Sequence, residues 1–227
     1  MVDLSLIASG SGVGDLTDFS FTVDSALQHT FVIISSHEGQ ADALSTITVD
    51  SAALNILTSG GDGTTTFTVY DVSNLSAGSH DLAITTNSGV FRYGYVLIKV
   101  LGWDGVHTES ATTGVGTSLS DTLETRTPDN VLSVFTAETT VIATSADSEL
   151  QNQKAGTGLL RVRFGTSYDT SGAISWTLAT SQAWAMTLIR LRGTDFHVAT
   201  PTHLATPTHT GTPDHVGTPG HVVINFP

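Results

Sequence analysis

The sequence predicts an all-β protein. A jelly-roll-like antiparallel β-sandwich is expected over residues 1–193, followed by an extended C-terminal arm over 194–227. Three observations lead there. Apolar residues recur at period two through most of the chain, the alternation of a half-buried strand, and helical period is nearly absent. Charged residues make up only 13% of the chain, well below the usual quarter; Thr, Ser and Gly stand in their place, which suits neutral strand faces. The end of the chain repeats T-P-x-H with a fixed period, and proline at every sixth residue excludes helix there.

In chain order, "DFSFTVDS" puts Phe19, Phe21 and Val23 on one face. The denser run Thr30–Ser36, "TFVIISS", reads as a strand buried on both sides. "LSTITVDS" sets Ile47 and Val49 opposite Leu44, Thr46 and Thr48. "TTTFTVYDV" sets Phe67, Val69 and Asp71 opposite Thr68 and Tyr70. Leu82 and Ile84 form the apolar face of "SHDLAITT", and Val90–Gly102 is the longest strand signal. After it, "WDGVHTESATTGVG" reads as a loop; this stretch, 103–117, is the one plausible internal seam. "NVLSVFTA", "TTVIATSA", "LLRVRFGT", "GAISWTLAT" and "AWAMTLIRLRG" continue the alternation, separated by Gly, Asp, Asn and Ser clusters. Roughly twelve evenly spaced strands suit a sandwich or jelly roll. "DSALQ" and "DSELQNQ" are candidates for a single helical turn.

Three of these segments carry a resemblance. "NLSAGSHDLAITTNSG", "FRYGYVLIKVLGWDG" and "ISWTLATSQAWAMTLIRLRG" resemble jelly-roll modules of phage structural proteins and bacterial surface proteins. The matching positions are Gly78, His80, Leu82 and Ile84, then Trp176 and Trp184. The resemblance spans about residues 20–193 and does not include the arm. It implies a lectin-like sandwich used for building or adhesion, with no common enzymatic activity.

In the arm, histidines fall at His197, His203, His209, His215 and His221, prolines at Pro201, Pro207, Pro213 and Pro219, and a threonine precedes each proline. Six residues make three pleats of a strand or two turns of polyproline II, so the histidines project from one face, roughly 19–20 Å apart. Three readings of them stay open: packing and hydrogen bonding along a partner surface, a metal ladder, or a solvated repeat. A metal–nitrogen bond is about 2 Å, so neighbouring histidines of one arm cannot share an ion. Zinc or nickel is conceivable only across chains, with three imidazoles per layer. The arm closes on "HVVINFP", where Val222, Val223, Ile224 and Phe226 read as a short strand or plug that docks on a partner.

The net charge of −13 repels a phosphate backbone, so nucleic acid is not an expected partner. No run of apolar residues is long enough to span a membrane as a helix. The absence of cysteine excludes disulfides and thiolate metal sites. "MVDLSLIASGSG" lacks the basic start of a secretory signal. No nucleophile elbow, zinc-protease or P-loop motif is present, and the carboxylates Asp24, Glu38, Asp42, Asp104 and Glu109 are not placed together by the sequence, so an enzyme is not expected. "SGGDGTTT" at Ser59–Thr66 has one acid, too few oxygens for calcium, and reads as a hairpin loop. Exposed aromatics are candidates for a sugar platform, among them Tyr70, Tyr93 and Tyr95; Trp176 and Trp184 read as core. Trp103, beside Asp104 and His107, is the favoured glycan contact.

These features add up to a structural subunit of a virion or similar extracellular assembly, such as a phage decoration, collar or fibre protein. Its expected partners are other copies of itself, with a trimer favoured, and neighbouring structural proteins. The alternatives are a carbohydrate-binding adhesin for a cell-surface glycan and a self-polymerising filament with a donated C-terminal strand.

Overall fold

A computed structural model of the protein describes residues 1–24, 29–37, 44–86, 92–127, 129–138, 141–155 and 162–194. The chain divides into two units, Met1–Asp195 and Phe196–Pro227. The described residues all belong to the first, so the repeats of the arm lie outside them. In chain order the strands are β1 (Asp3–Val13), β2 (Leu16–Val23), β3 (His29–His37), β4 (Leu44–Val49), β5 (Ala52–Ala53), β6 (Asn55–Gly61), β7 (Thr65–Val72), β8 (Gly78–Thr86), β9 (Arg92–Leu101), β10 (Trp103–Thr122), β11 (Asn130–Ala137), β12 (Val141–Thr144), β13 (Ser148–Ala155), β14 (Val162–Asp169) and β15 (Ala173–Gly193). All pairings among them are antiparallel, and the fold is an all-β sandwich.

The strands form three sheets. The first has the order β1-β9-β3-β7-β6, the second β2-β8-β4-β5, and the third β10-β15-β11-β14-β13 with β12 also on β15. The first sheet is the middle layer, as the alternation within its strands shows. In β3, Phe31 and Ile33 join a core with Leu132, Val134 and Ile189 of the third sheet. Val32 and Ile34, pointing the other way, join a core with Phe21, Ile47, Val49, Leu82 and Ile84 of the second. Burial on both faces is why Phe31–Ile34, at the centre of Thr30–Ser36, is an unbroken apolar run. Each large apolar side chain buried this way contributes about 1.5–3 kcal/mol.

The third sheet covers its own outer face. The register of β10 on β15 breaks between Gly116 and Ser118, and beyond that break the hairpin folds back. Ile174, Trp176 and Leu178 from the first half of β15 pack on Trp184, Met186 and Leu188 from its second half, together with Phe135 of β11. Trp176 is fully buried; its ring lies 4.5 Å from that of Phe135, and its Nε1 donates to Ser133 Oγ at 3.0 Å. Within β10, Ser110 and Thr112 donate from their hydroxyls to Asp121 Oδ2 at 2.8 and 3.0 Å, which pins the fold-back.

Glycine recurs opposite an aromatic. Gly10 pairs with Tyr95 and Gly12 with Tyr93, Gly60 with Phe67, Gly114 with Trp184 and Gly165 with Phe135. At each, an added Cβ would stand 2.3–2.7 Å from an atom of the facing aromatic side chain. The ring lies over the bare backbone and restores the burial that glycine gives up in a strand.

Two expectations are corrected. Residues 103–117 are strand, not a loop or a seam: they belong to β10, the edge of the third sheet. They look loop-like because one face of an exposed edge strand has no core to meet, so the run carries Thr, Ser and Gly in place of apolar residues. The helical turn expected at "DSELQNQ" is β13, whose Glu149 and Gln151 pair with Ser167 and Thr166; ladder pairing overrides the local helix propensity. "DSALQ" lies largely outside the described residues, and those residues contain no helix.

Candidate functional site

The three residues expected at a glycan contact do come together, at the end of the body where β9 passes into β10. Gly102 makes the turn with φ +70, and a Cβ there would sit 2.8 Å from the Met1 carbonyl oxygen, so only glycine fits. Between Trp103 and His107 the register on β15 shifts, and Gly105, at φ +86, completes the bulge. Asp104 holds it: Oδ1 accepts from the Val106 amide at 2.9 Å, while Oδ2 accepts from Arg192 Nε.

The bulge turns Trp103 inward. The indole is only 6% exposed. Its Nε1 donates to the Val106 carbonyl at 2.8 Å, and its ring meets Phe31 and His29 edge-on at 5.2 and 4.7 Å, with His107 at 6.4 Å. A sugar ring stacks on an open aromatic face, and Trp103 has none. The glycan contact expected there is corrected to a structural role: the residue closes this end of the core. His29, Asp71 and Arg192 belong to the same cluster and were not picked out from the sequence. His29 Nδ1 lies 3.3 Å from Asp71 Oδ1. No local pattern links residues 29, 71, 103 and 192, because three separate strand pairings bring them together.

Of the other aromatic candidates, Tyr70 is half-buried on β7 and the rest are inside. Trp176 and Trp184 are buried as expected, and Tyr93 and Tyr95 lie buried over their glycines. Burial pushes the Tyr93 hydroxyl up to about 12. "SGGDGTTT" is the β6–β7 hairpin: Asp62 Oδ1 accepts from the amides of Thr64 and Thr65 at 2.8 and 2.7 Å. Of the carboxylates, Asp24 is paired with Lys99 and Glu109 stands exposed on β10; Glu38 and Asp42 lie outside the described residues.

His80, one of the positions in the resemblance, is a clamp. It is 6% exposed, with Nδ1 2.6 Å from Asp50 Oδ2 and Nε2 2.8 Å from the Ser76 carbonyl oxygen. Both partners are acceptors, so both contacts are hydrogen bonds together only when the ring carries a proton on each nitrogen. The bond to Asp50, then that to Ser76, raises its pKa above the ordinary value. Asp50 is lowered in return, first by His80 and then by the Asp81 amide. Asp50 and Ser51 both have positive φ, and the clamp holds this turn between β4 and β5.

A recess of about 130 Å³ beside β5 is lined by Leu54, Asn55, Asp71 and Ser73 among others, below the size of a typical ligand pocket. Among the described residues no three His, Asp or Glu side chains converge on a metal-sized space. The arm residues Pro201, His203, Pro207, His209, Pro213, His215, Pro219, His221, Val222, Ile224 and Phe226, and His197 before them, lie outside the described residues. The body strand that leads to them ends beside Gly102, where the Thr194 amide donates to the Gly102 carbonyl at 2.9 Å. No protein-family model, curated protein or solved structure matches the chain.

Proposed function

We propose that this chain is a structural subunit of a virion or similar extracellular assembly, such as a phage decoration, collar or fibre protein, joined to its neighbours by its C-terminal arm. One observation carries the reading: the layered body is closed by β15 and Thr194, and the T-P-x-H repeat begins shortly afterwards, at Thr200. Among the described residues the three cores are built from positions before 195, and on this reading the arm is assigned to contacts with other chains. The arm is rich in Thr, Pro, Gly and His, a composition with little apolar surface to bury. Extended segments of this kind bind through main-chain hydrogen bonds, with side-chain pockets setting register. Three copies are the favoured number, since three arms can then lie side by side.

Sedimentation of the full chain beside a chain ending at Asp195 tests this. The shortened chain should keep its strand circular dichroism and a cooperative melt, and should sediment as a monomer where the full chain is an oligomer. Equal masses for the two, or a shortened chain that does not fold, would refute the reading.

A further inference from the structure

We infer that the outer edge of β10, over His107–Gly116, is the pairing surface for the Val222–Phe226 segment of a neighbouring copy. This rests on the proposed arm-mediated assembly and names its acceptor.

β10 ends the third sheet, and among the described residues it pairs with β15 alone. Between its two register breaks, the ladder from His107↔Leu191 to Gly116↔Gln182 is regular. One side of each strand in a ladder faces its partner, so the other side of β10 presents a row of amide and carbonyl groups with no strand of the described residues beside it. Natural edges are commonly guarded by lysine, proline, inward-pointing charge or a bulge in mid-run. This stretch, "HTESATTGVG", holds no lysine, arginine or proline; Glu109 is its one acid, and the bulges lie at its ends.

The side chains reinforce the point. Ser110 and Thr112 face the fold-back and bond to Asp121. Glu109, Ala111, Thr113 and Val115 stand on the opposite face and are all exposed, although their β15 partners Ile189, Thr187, Ala185 and Ala183 are buried or half-buried. Val115 is 79% exposed, the most exposed large apolar side chain described. The middle sheet therefore covers β15 and stops short of β10.

The occupant follows from the arm's sequence. Proline every sixth residue interrupts pairing through 201–219, and beyond Pro201 only "HVVINF" is long enough, free of proline and rich in strand-forming residues; Pro227 follows it. Its apolar residues suit the Ala111, Thr113 and Val115 face, and it brings no carboxylate against Glu109. Reach favours a neighbour. The chain leaves the body beside Gly102, next to the start of β10. From Thr194 to Val222 an extended arm covers roughly 85–90 Å, while the edge itself is only about 30 Å long. To reach its own β10 the arm would have to double back. Donation to the next copy is a head-to-tail contact, which closes into a ring when the rotation allows, as in a trimer.

The chain has no cysteine, so introduced pairs report cleanly. Full-length Thr113→Cys is mixed with full-length Val223→Cys, equilibrated and oxidised, and compared with Ile56→Cys mixed with Val223→Cys; Ile56 is 65% exposed on β6, the edge of another sheet. A disulfide-linked pair of chains is expected from the Thr113 mixture and not from the Ile56 mixture. In full-length Thr113→Lys/Val115→Lys, both exposed positions, self-association should weaken roughly tenfold with an unchanged melt. Equal linkage at both sites, linkage at neither, or a bond within one chain in Thr113→Cys/Val223→Cys without a mixed pair would overturn the inference. Sedimentation of the same reduced chains separates the two ideas. Oligomers without linkage mean that the arm docks elsewhere. Monomers throughout would defeat the assembly reading itself.

Discussion

Replacing His80 with alanine tests the clamp on the Asp50–Ser51 turn. The substitution removes two hydrogen bonds from a side chain that is 6% exposed, each contributing about 1 kcal/mol net. It also removes the ring that lies 5.8 Å from Phe21. The ionic part of the Asp50 contact is small, because the Asp50 side chain is 46% exposed and water screens it. The expected loss is about 2–3 kcal/mol, read by urea denaturation followed through tryptophan fluorescence. The loss should depend on pH with a definite sign. The folded pKa of His80 is raised above 6.5, so its stabilisation is fully present below that value and is lost as pH rises through the higher folded value. Asp50 is lowered from 3.8, so its share is present above that value and is lost as pH falls through the lower folded value. The gap between wild type and His80→Ala should therefore be widest between roughly pH 4 and 6.5 and narrower at pH 9. A gap below about 0.5 kcal/mol, or one that grows toward pH 9, would refute the clamp.

Further outcomes follow from the packing and the arm. Gly12→Ala places a methyl 2.3 Å from the Tyr93 hydroxyl oxygen and should cost about 1–3 kcal/mol; an unchanged melting temperature would mean the tyrosine moves aside freely. Trp176→Phe leaves the buried Ser133 hydroxyl without its donor and should cost about 1–3 kcal/mol, with Ser133→Ala in the same chain recovering part of it in a double-mutant cycle. If three arms run parallel, each histidine layer can bind one zinc or nickel ion through three imidazoles. His209→Ala should then remove one ion per three chains and leave the other layers, as elemental analysis would show; no bound metal, with thermal stability unaltered by chelator, eliminates the ladder.

The sequence by itself determined many of the strands and their faces, though not β1, β10 or β13. Period-two alternation is a local property, and it placed Phe21 and Val23, Ile47 and Val49, Phe67 and Val69, and Leu82 and Ile84 in the core, with β3 buried on both sides. It also set the period of the arm, because proline fixes φ wherever it stands. The tertiary structure decided what covers what. Nothing local in 103–117 shows that this run is an edge strand paired with residues far along the chain, or that Trp103 turns inward against His29 and Phe31. Gly60 and Gly114, which fall in stretches that read as loops, sit in strands, as do Gly10, Gly12 and Gly165, because an aromatic from the next strand lies over each. The number of layers was equally out of reach. Alternation shows that a strand has two faces, while the partner of each face is set by contacts such as Ser35 to Thr136, 101 residues apart, which only the folded chain brings together.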